Sequence, residues 1–302
     1  ALPATREGTS MGLANLILIG RRSVIEEKIK KLGLRLTAGV DFEIVDNEDN
    51  PRYEECWKHY YELTKRKGIT PAIAKRVVRS NTTVLASTLL SLGYADALVC
   101  GLFGSYGKHL ASIRDIIGLK DGVKTAAALN SLVLPTGNVF LTDTHVNSNP
   151  TAEELAEITL MAAEEIHRFG IEPAVALLSH SNFGSSDSLG APKMREVLQI
   201  VKEHNPHLMI DGEMRGDLAM NEAHRKELMP DSPLKGSANL LVFPDLSASR
   251  ISYSLLRSTT TAITVGPILM GMNKSAHILN PGASVRRIIN MIAYAAVKAQ
   301  QE

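Results

Sequence analysis

Four serines and a histidine follow the apolar run Ala174-Val-Ala-Leu-Leu, in the order Ser179-His180-Ser181-Asn182-Phe183-Gly184-Ser185-Ser186. Small hydroxyl side chains and a glycine, placed after a buried strand and before a helix from about Ala191 to Glu203, suit an anion. Backbone N–H groups left free at a strand end, with a helix dipole behind them, hold a phosphate. An ordinary strand-to-helix turn capped by serines has the same composition. Serine and histidine are also the usual pair in acyl transfer. Here the two are adjacent, where side chains seldom face each other, and no G-x-S-x-G elbow is present, so a serine nucleophile is not expected.

Asp211-Gly212-Glu213 follows a second strand and could hold a metal or accept a proton. With no further carboxylates at ligand spacing, turn and cap roles for Asp211 and Gly212 are the expectation. The stretch Gly101-Leu-Phe-Gly104-Ser-Tyr-Gly107-Lys108 is glycine-rich after a strand, yet it fits neither G-K-[ST] nor G-x-G-x-x-G. Lys108 and Arg114, on the helix after it, are placed to meet an anion. Among the 9 histidines there is no H-E-x-x-H and no cysteine pairing, so no metal site is expected. Cys56 and Cys100 lack C-x-x-C spacing and read as reduced thiols of a cytoplasmic protein.

Elements that would position these groups alternate along the chain. Short β-rich runs at 16–19, 42–45, 97–100, 139–141, 174–178, 208–210, 240–243 and 262–265 are separated by segments of helical period, the pattern of mostly parallel sheets covered by helices. The clearest helix starts at Thr151, with Glu154 at capping-box spacing, and stops at Gly170. Its stripe is Leu155, Ile158, Met161, Ala162, Ile166 and Phe169. A second helical region runs from about Pro51 to Tyr94, charged early and apolar late. A crossing near Pro135-Thr-Gly137 with a return near Gly271 divides the chain into 1–138 plus 270–302 and an inserted 139–269.

The 302 residues fit two domains, and 44% hydrophobic residues supply their cores. Charge nearly cancels, 33 basic against 32 acidic, and aromatics are 5%, so neither a nucleic acid nor a membrane surface is an expected partner. No apolar run approaches the ~20 residues of a membrane span, and the opening lacks a signal peptide. A start without Met, entering LANLILIG almost at once, reads as a piece of a longer chain.

Several segments together resemble the phosphate acetyltransferase (phosphotransacetylase) family. They are Thr142-Asp143 through Ile158, Gly170-Ile-Glu-Pro173 with the serine loop, Gly236-Ser-Ala-Asn239 with Phe243-Pro-Asp245, and Gly266-Pro-Ile-Leu-Met-Gly271. Finer features, including Gly39-Val-Asp-Phe-Glu-Ile44 and Arg286-Arg-Ile-Ile-Asn290, are similar to the C-terminal phosphotransacetylase-like domain of two-part NADP-dependent malic enzymes. The resemblance implies an α/β fold of two three-layer domains with mostly parallel sheets and a cleft between them, dimerised or further oligomerised mainly through the second.

Active members of the family carry Ser-Arg-Gly after the G-P-I-L segment, and an Asp several residues on that deprotonates the CoA thiol. Here Pro281 stands for the Arg and Arg287 for the Asp, and a second family arginine falls on Ala111. An arginine cannot take that proton. Two lost guanidinium groups also remove stabilisation typically worth ~3–4 kcal/mol each. The resemblance therefore implies a domain without catalytic residues that binds acetyl-CoA as an effector through Ser179, Ser181, Gly184, Ser185, Lys274, Asn280, Arg286 and Arg287. It would regulate and oligomerise an N-terminal malic enzyme part holding NADP and a divalent metal. The alternatives are an active transferase moving acetyl between CoA and phosphate, and a purely structural dimerisation module.

Overall fold

A computed structural model describes residues 1–188 and 190–301. The chain forms two compact units, one of Ala1–Asp121 with the chain from Met272, the other of Gly122–Gly271.

The first unit opens with α1 (Leu2–Ser10) rather than a strand, Pro3 standing in the first turn where its missing N–H costs nothing. Then come β1 (Ile17–Ile19), α2 (Arg22–Lys31) and β2 (Glu43–Val45), the two strands pairing in parallel. Leu2, Ile29 and Phe42 are their buried centre. The expected helical region breaks into α3 (Tyr53–Thr64), α4 (Pro71–Ser80) and α5 (Thr82–Ser91). The breaks have local causes. Thr70 Oγ1 accepts from the Ile73 N–H to start α4, and Asn81 Oδ1 accepts from the Thr83 and Val84 N–H groups to start α5. Every residue from Thr83 to Leu90 is buried, so α5 is the core helix. β3 (Leu98–Cys100) and α6 (Tyr106–Ile116) follow.

The second unit contains β4 (Ala127–Leu134), β5 (Gly137–Thr142), α7 (Ala152–Arg168), β6 (Ala174–Leu178), α8 (Ala191–His204), β7 (Met209–Met214), α9 (Gly216–Met220), α10 (Glu222–Leu228), β8 (Leu240–Val242), α11 (Leu246–Thr259) and β9 (Ile263–Met270). One six-stranded sheet runs in the order β7-β6-β8-β5-β4-β9, parallel from β7 to β5, with β4 antiparallel to both of its neighbours. β4 corrects the boundary read from sequence. The contacts divide at 121/122 and 271/272 rather than at 138/139 and 269/270, because β4 is bonded to β5 and β9. The Thr151 capping box is present with both of its hydrogen bonds. The stripe it starts is buried at Leu155, Ile158, Ala162 and Ile166, while Phe169, past the helix end, packs its ring 5.7 Å from that of Phe140.

On its return the chain adds β10 (Ala276–Ile278), parallel to β3, and α12 (Val285–Ala299), which packs on α1. Gly101, after β3, has φ +90°, and a Cβ there would lie 2.3 Å from the Leu279 carbonyl oxygen. Only glycine lets these two backbones approach so closely. No helix among the described residues is long and apolar enough to cross a membrane.

Candidate functional site

β5, β6, β7 and β8 run in parallel, so the loops after them leave one edge of the second unit's sheet, the usual place for ligand-binding groups in this kind of sheet. The loop after β6 carries Ser179, Ser181, Gly184 and Ser185, and the structure brings these four together. Backbone amides of the loop are largely committed, to β7 and within the loop, which corrects the expectation of free donors. The Ser179 N–H bonds Met214 O (2.9 Å), Phe183 N–H bonds Glu213 O (2.7 Å) and Ser185 N–H bonds Asn182 O (3.0 Å). The Asn182 N–H goes to Ser185 Oγ at 3.1 Å. What the loop offers a ligand is hydroxyls.

Glu213 holds this loop, a role the sequence reading missed. Its side chain is 0% exposed. Oε1 accepts from Ser181 Oγ (3.2 Å), the Gly184 N–H (3.0 Å) and Arg195 Nη1 (3.1 Å), while Oε2 has no partner among the described residues. Arg195, on α8, also donates to Ser186 O (2.9 Å) and Asp187 Oδ1 (2.6 Å), pinning the far end of the loop. Between these anchors Phe183 has φ +46°, a left-handed conformation that a bulky residue keeps only when its surroundings enforce it. The expected turn role of Asp211 and Gly212 is corrected too, since both lie within β7. Asp211 Oδ2 accepts from Ser232 Oγ at 2.5 Å. A Cβ on Gly212 would meet Leu177 O at 2.6 Å.

His180 Nδ1 lies 3.3 Å from Ser179 Oγ, so these neighbours do face each other, contrary to expectation. Its Nε2 faces Ser186 and Ser188 at 3.2 and 3.4 Å rather than a carboxylate. Among the described residues no carboxylate orients the imidazole as nucleophilic catalysis would require.

After β5, buried Asp143 organises its loop by accepting from the N–H groups of Ala128 (3.0 Å), His145 (3.0 Å) and Asn147 (2.7 Å). Burial raises its pKa above the ordinary aspartate value, against the pull of those donors and of the Asn147 amide. Lys193 ties the loop ends together through Asn149 Oδ1 (2.9 Å), Pro150 O (3.0 Å) and Pro244 O (2.7 Å), and burial lowers its pKa.

The other four expected site residues lie in the first unit, in separate local settings. Lys274 Nζ donates to Leu90 O (3.0 Å), a carbonyl in the last turn of α5, where a cation also meets the negative end of the helix dipole. Asn280 begins a turn closed by the Ala283 N–H on its carbonyl (3.1 Å). Ser284 caps α12 by accepting from the Arg287 N–H at 3.3 Å. Arg286 is exposed, but Arg287 is only 6% exposed. After β3, His109 fixes the Gly101 loop, with Nε2 2.6 Å from Phe103 O and Nδ1 2.8 Å from Thr83 Oγ1. Lys108 and Arg114 on α6 are exposed.

Over residues 1–296 the chain matches the phosphate acetyl/butaryl transferase family. It is 98% identical over 302 residues to the C-terminal part of the NADP-dependent malic enzyme of Haemophilus influenzae. The chain spans 40% of that relative's length. The phosphate acetyltransferase of Clostridium acetobutylicum is 34% identical over 297 residues, 96% of this chain and 88% of that one. A phosphotransacetylase structure from Streptococcus pyogenes superposes with a TM-score of 0.91 at 29% identity, covering 100% of this chain and 91% of that one. With the motifs, the sheet and these matches in agreement, the chain belongs to the phosphate acetyl/butaryl transferase family.

Proposed function

We propose that this chain is an acetyl-CoA-binding regulatory and oligomerising domain of an NADP-dependent malic enzyme, without transferase activity of its own. The observation that carries the reading is Arg287. At 6% exposure it is a buried cation in the first turn of α12, where the resemblance expects the carboxylate that accepts the thiol proton. A guanidinium has no acceptor capacity and stays charged. Recognition of acetyl-CoA needs no such base. Contacts to the nucleotide, phosphates and pantetheine can persist when the few groups acting at the thioester are gone. Ser179, Ser181, Ser185 and Asn280 would supply hydroxyl and amide partners and Arg286 a phosphate contact. Lys274 is already bonded to Leu90 O and Gly184 N–H to Glu213, so these two would act chiefly by shaping their segments.

In the parent enzyme, NADP, the divalent metal and the conversion of malate to pyruvate would belong to the N-terminal part. Acetyl-CoA, made downstream from pyruvate, would bind here and shift that part toward a less active state. A coupling of ~1–3 kcal/mol suffices. The test is malic enzyme activity of the parent titrated with acetyl-CoA, in wild type and in Arg287→Asp. The expected result is saturable inhibition in wild type that is weakened in the variant. An unresponsive wild type overturns the regulatory reading.

The Clostridium acetobutylicum relative, named a phosphate acetyltransferase, favours an active transferase as the second reading. Incubating the chain with acetyl-CoA and phosphate separates the two, because sustained release of free thiol belongs to the transferase alone. The oligomer is part of the proposal and is supported by Ile251 and Leu255, one turn apart on α11 and 60% and 58% exposed. Light scattering on Ile251→Glu should show a smaller assembly than wild type.

A further inference from the structure

We propose a second ligand site, for a nucleoside diphosphate, in a groove of about 930 Å³ formed by α3, α4 and the loop after β2, entirely within the first unit. It shares no residue with the acetyl-CoA proposal and stands or falls apart from it. Lys75, Arg76 and Arg79 line the groove, and Arg79 follows Lys75 by four residues and Arg76 by three, which makes it a neighbour of both on the surface of α4. None of the three has an ion-pair partner among the described residues. The lining also holds two carboxylates, Glu48 and Glu54, of which Glu54 is paired with Lys58 at 2.7 Å.

Two aromatic rings fix Lys75 and Arg79. Lys75 Nζ sits 4.5 Å from the Trp57 ring centroid, and the Arg79 guanidinium 4.7 Å from that of Tyr53. Tyr53 Oη donates to Lys75 O (2.9 Å), and Asn47 Nδ2 donates to Arg79 O (2.9 Å), which joins α3 and the β2 loop to α4. Cations set in place beforehand lose little side-chain freedom on meeting an anion, and guanidinium groups match phosphate oxygens two at a time. The volume falls in the range of small-molecule sites. Three cations suit two linked phosphates, and the indole and phenol edges suit a flat base.

Trp57 is the only tryptophan in the sequence, so its fluorescence reports this groove directly. The experiment is titration of the chain with ADP, with adenosine and inorganic phosphate as separate probes, repeated in Arg76→Ala and Arg79→Ala. Both substitutions are at exposed positions, and circular dichroism confirms that the variants are folded. The expected result is a saturable change with ADP, weakened about tenfold or more in each variant, with adenosine and phosphate each at least about tenfold weaker than ADP. Absence of a saturable response to ADP, equal affinity in the variants, or either fragment binding as tightly as ADP overturns the proposal.

Discussion

Replacing Glu213 by Ala would take away the acceptor shared by Ser181, Gly184 and Arg195 and leave the guanidinium partly buried without it. Breaking a fully buried pair in this way costs ~3–5 kcal/mol. Arg195 is 31% exposed and keeps Asp187, so a loss of about 2–4 kcal/mol is expected in urea unfolding, with loosened protection of the 181–187 amides in hydrogen exchange. His277 should govern part of the acid response. It is fully buried, and burial first, then the Lys298 charge, hold its pKa well below the ordinary 6.5. The unfolded chain thus binds a proton that the folded one refuses, and stability present above pH 6.5 is lost as pH falls below it, by up to about 1.4 kcal/mol per unit. Asp143, with its raised pKa, acts with the opposite sign nearer the carboxylate range. The comparison that isolates the histidine is therefore the unfolding midpoint at pH 7.5 against 5.5 in wild type and His277→Gln, where the variant should fall less. Burial likewise pushes Cys56 to about 11 and Cys100 to about 12, so a thiol reagent at pH 8 should label neither until the chain is unfolded. Residue chemistry of this kind is only half legible in sequence. That position 287 carries an arginine needs no coordinates, whereas Glu213 and Arg195 meet across 18 positions because β7 and α8 pack together, and no local pattern marks that.

Among the elements, α7 tests how much a helix start contributes. Thr151→Ala removes the acceptor for the Glu154 N–H, and thermal unfolding should show about 1 kcal/mol lost. Gly212→Ala is expected to cost more, on the order of 3 kcal/mol, since φ is +143° and the new methyl would press on Leu177 O at 2.6 Å, where backbone cannot yield. α7 was readable almost to the residue because cap, stripe and stop signals agree. β4 was not. Its start, Ala127-Ala-Leu, has helix-forming composition, and only burial between β5 and β9 makes it a strand. α1 and β10 were missed for related reasons. The first carries little apolar periodicity, and the second is three residues long with a histidine at its centre.

At the scale of the molecule the two units differ in how their chains are arranged. Gly122–Gly271 is one continuous stretch with its own six-stranded sheet, and expressed alone it should give a single cooperative transition by circular dichroism. The first unit is assembled from both ends of the sequence. The alternation of strands and helices was enough to reveal two α/β units and their nesting, while the seam itself depended on β4, which the sequence pattern hides. That nesting has a consequence for synthesis. β3 can find β10 only after about 175 further residues have been made, an interval of about 9–35 s at ordinary translation rates, and α1 can find α12 only after about 275, about 14–55 s. Throughout the shorter interval the ribosome carries a half-built first unit, its core helix lacking the final strand, and the insert is complete only as that interval closes.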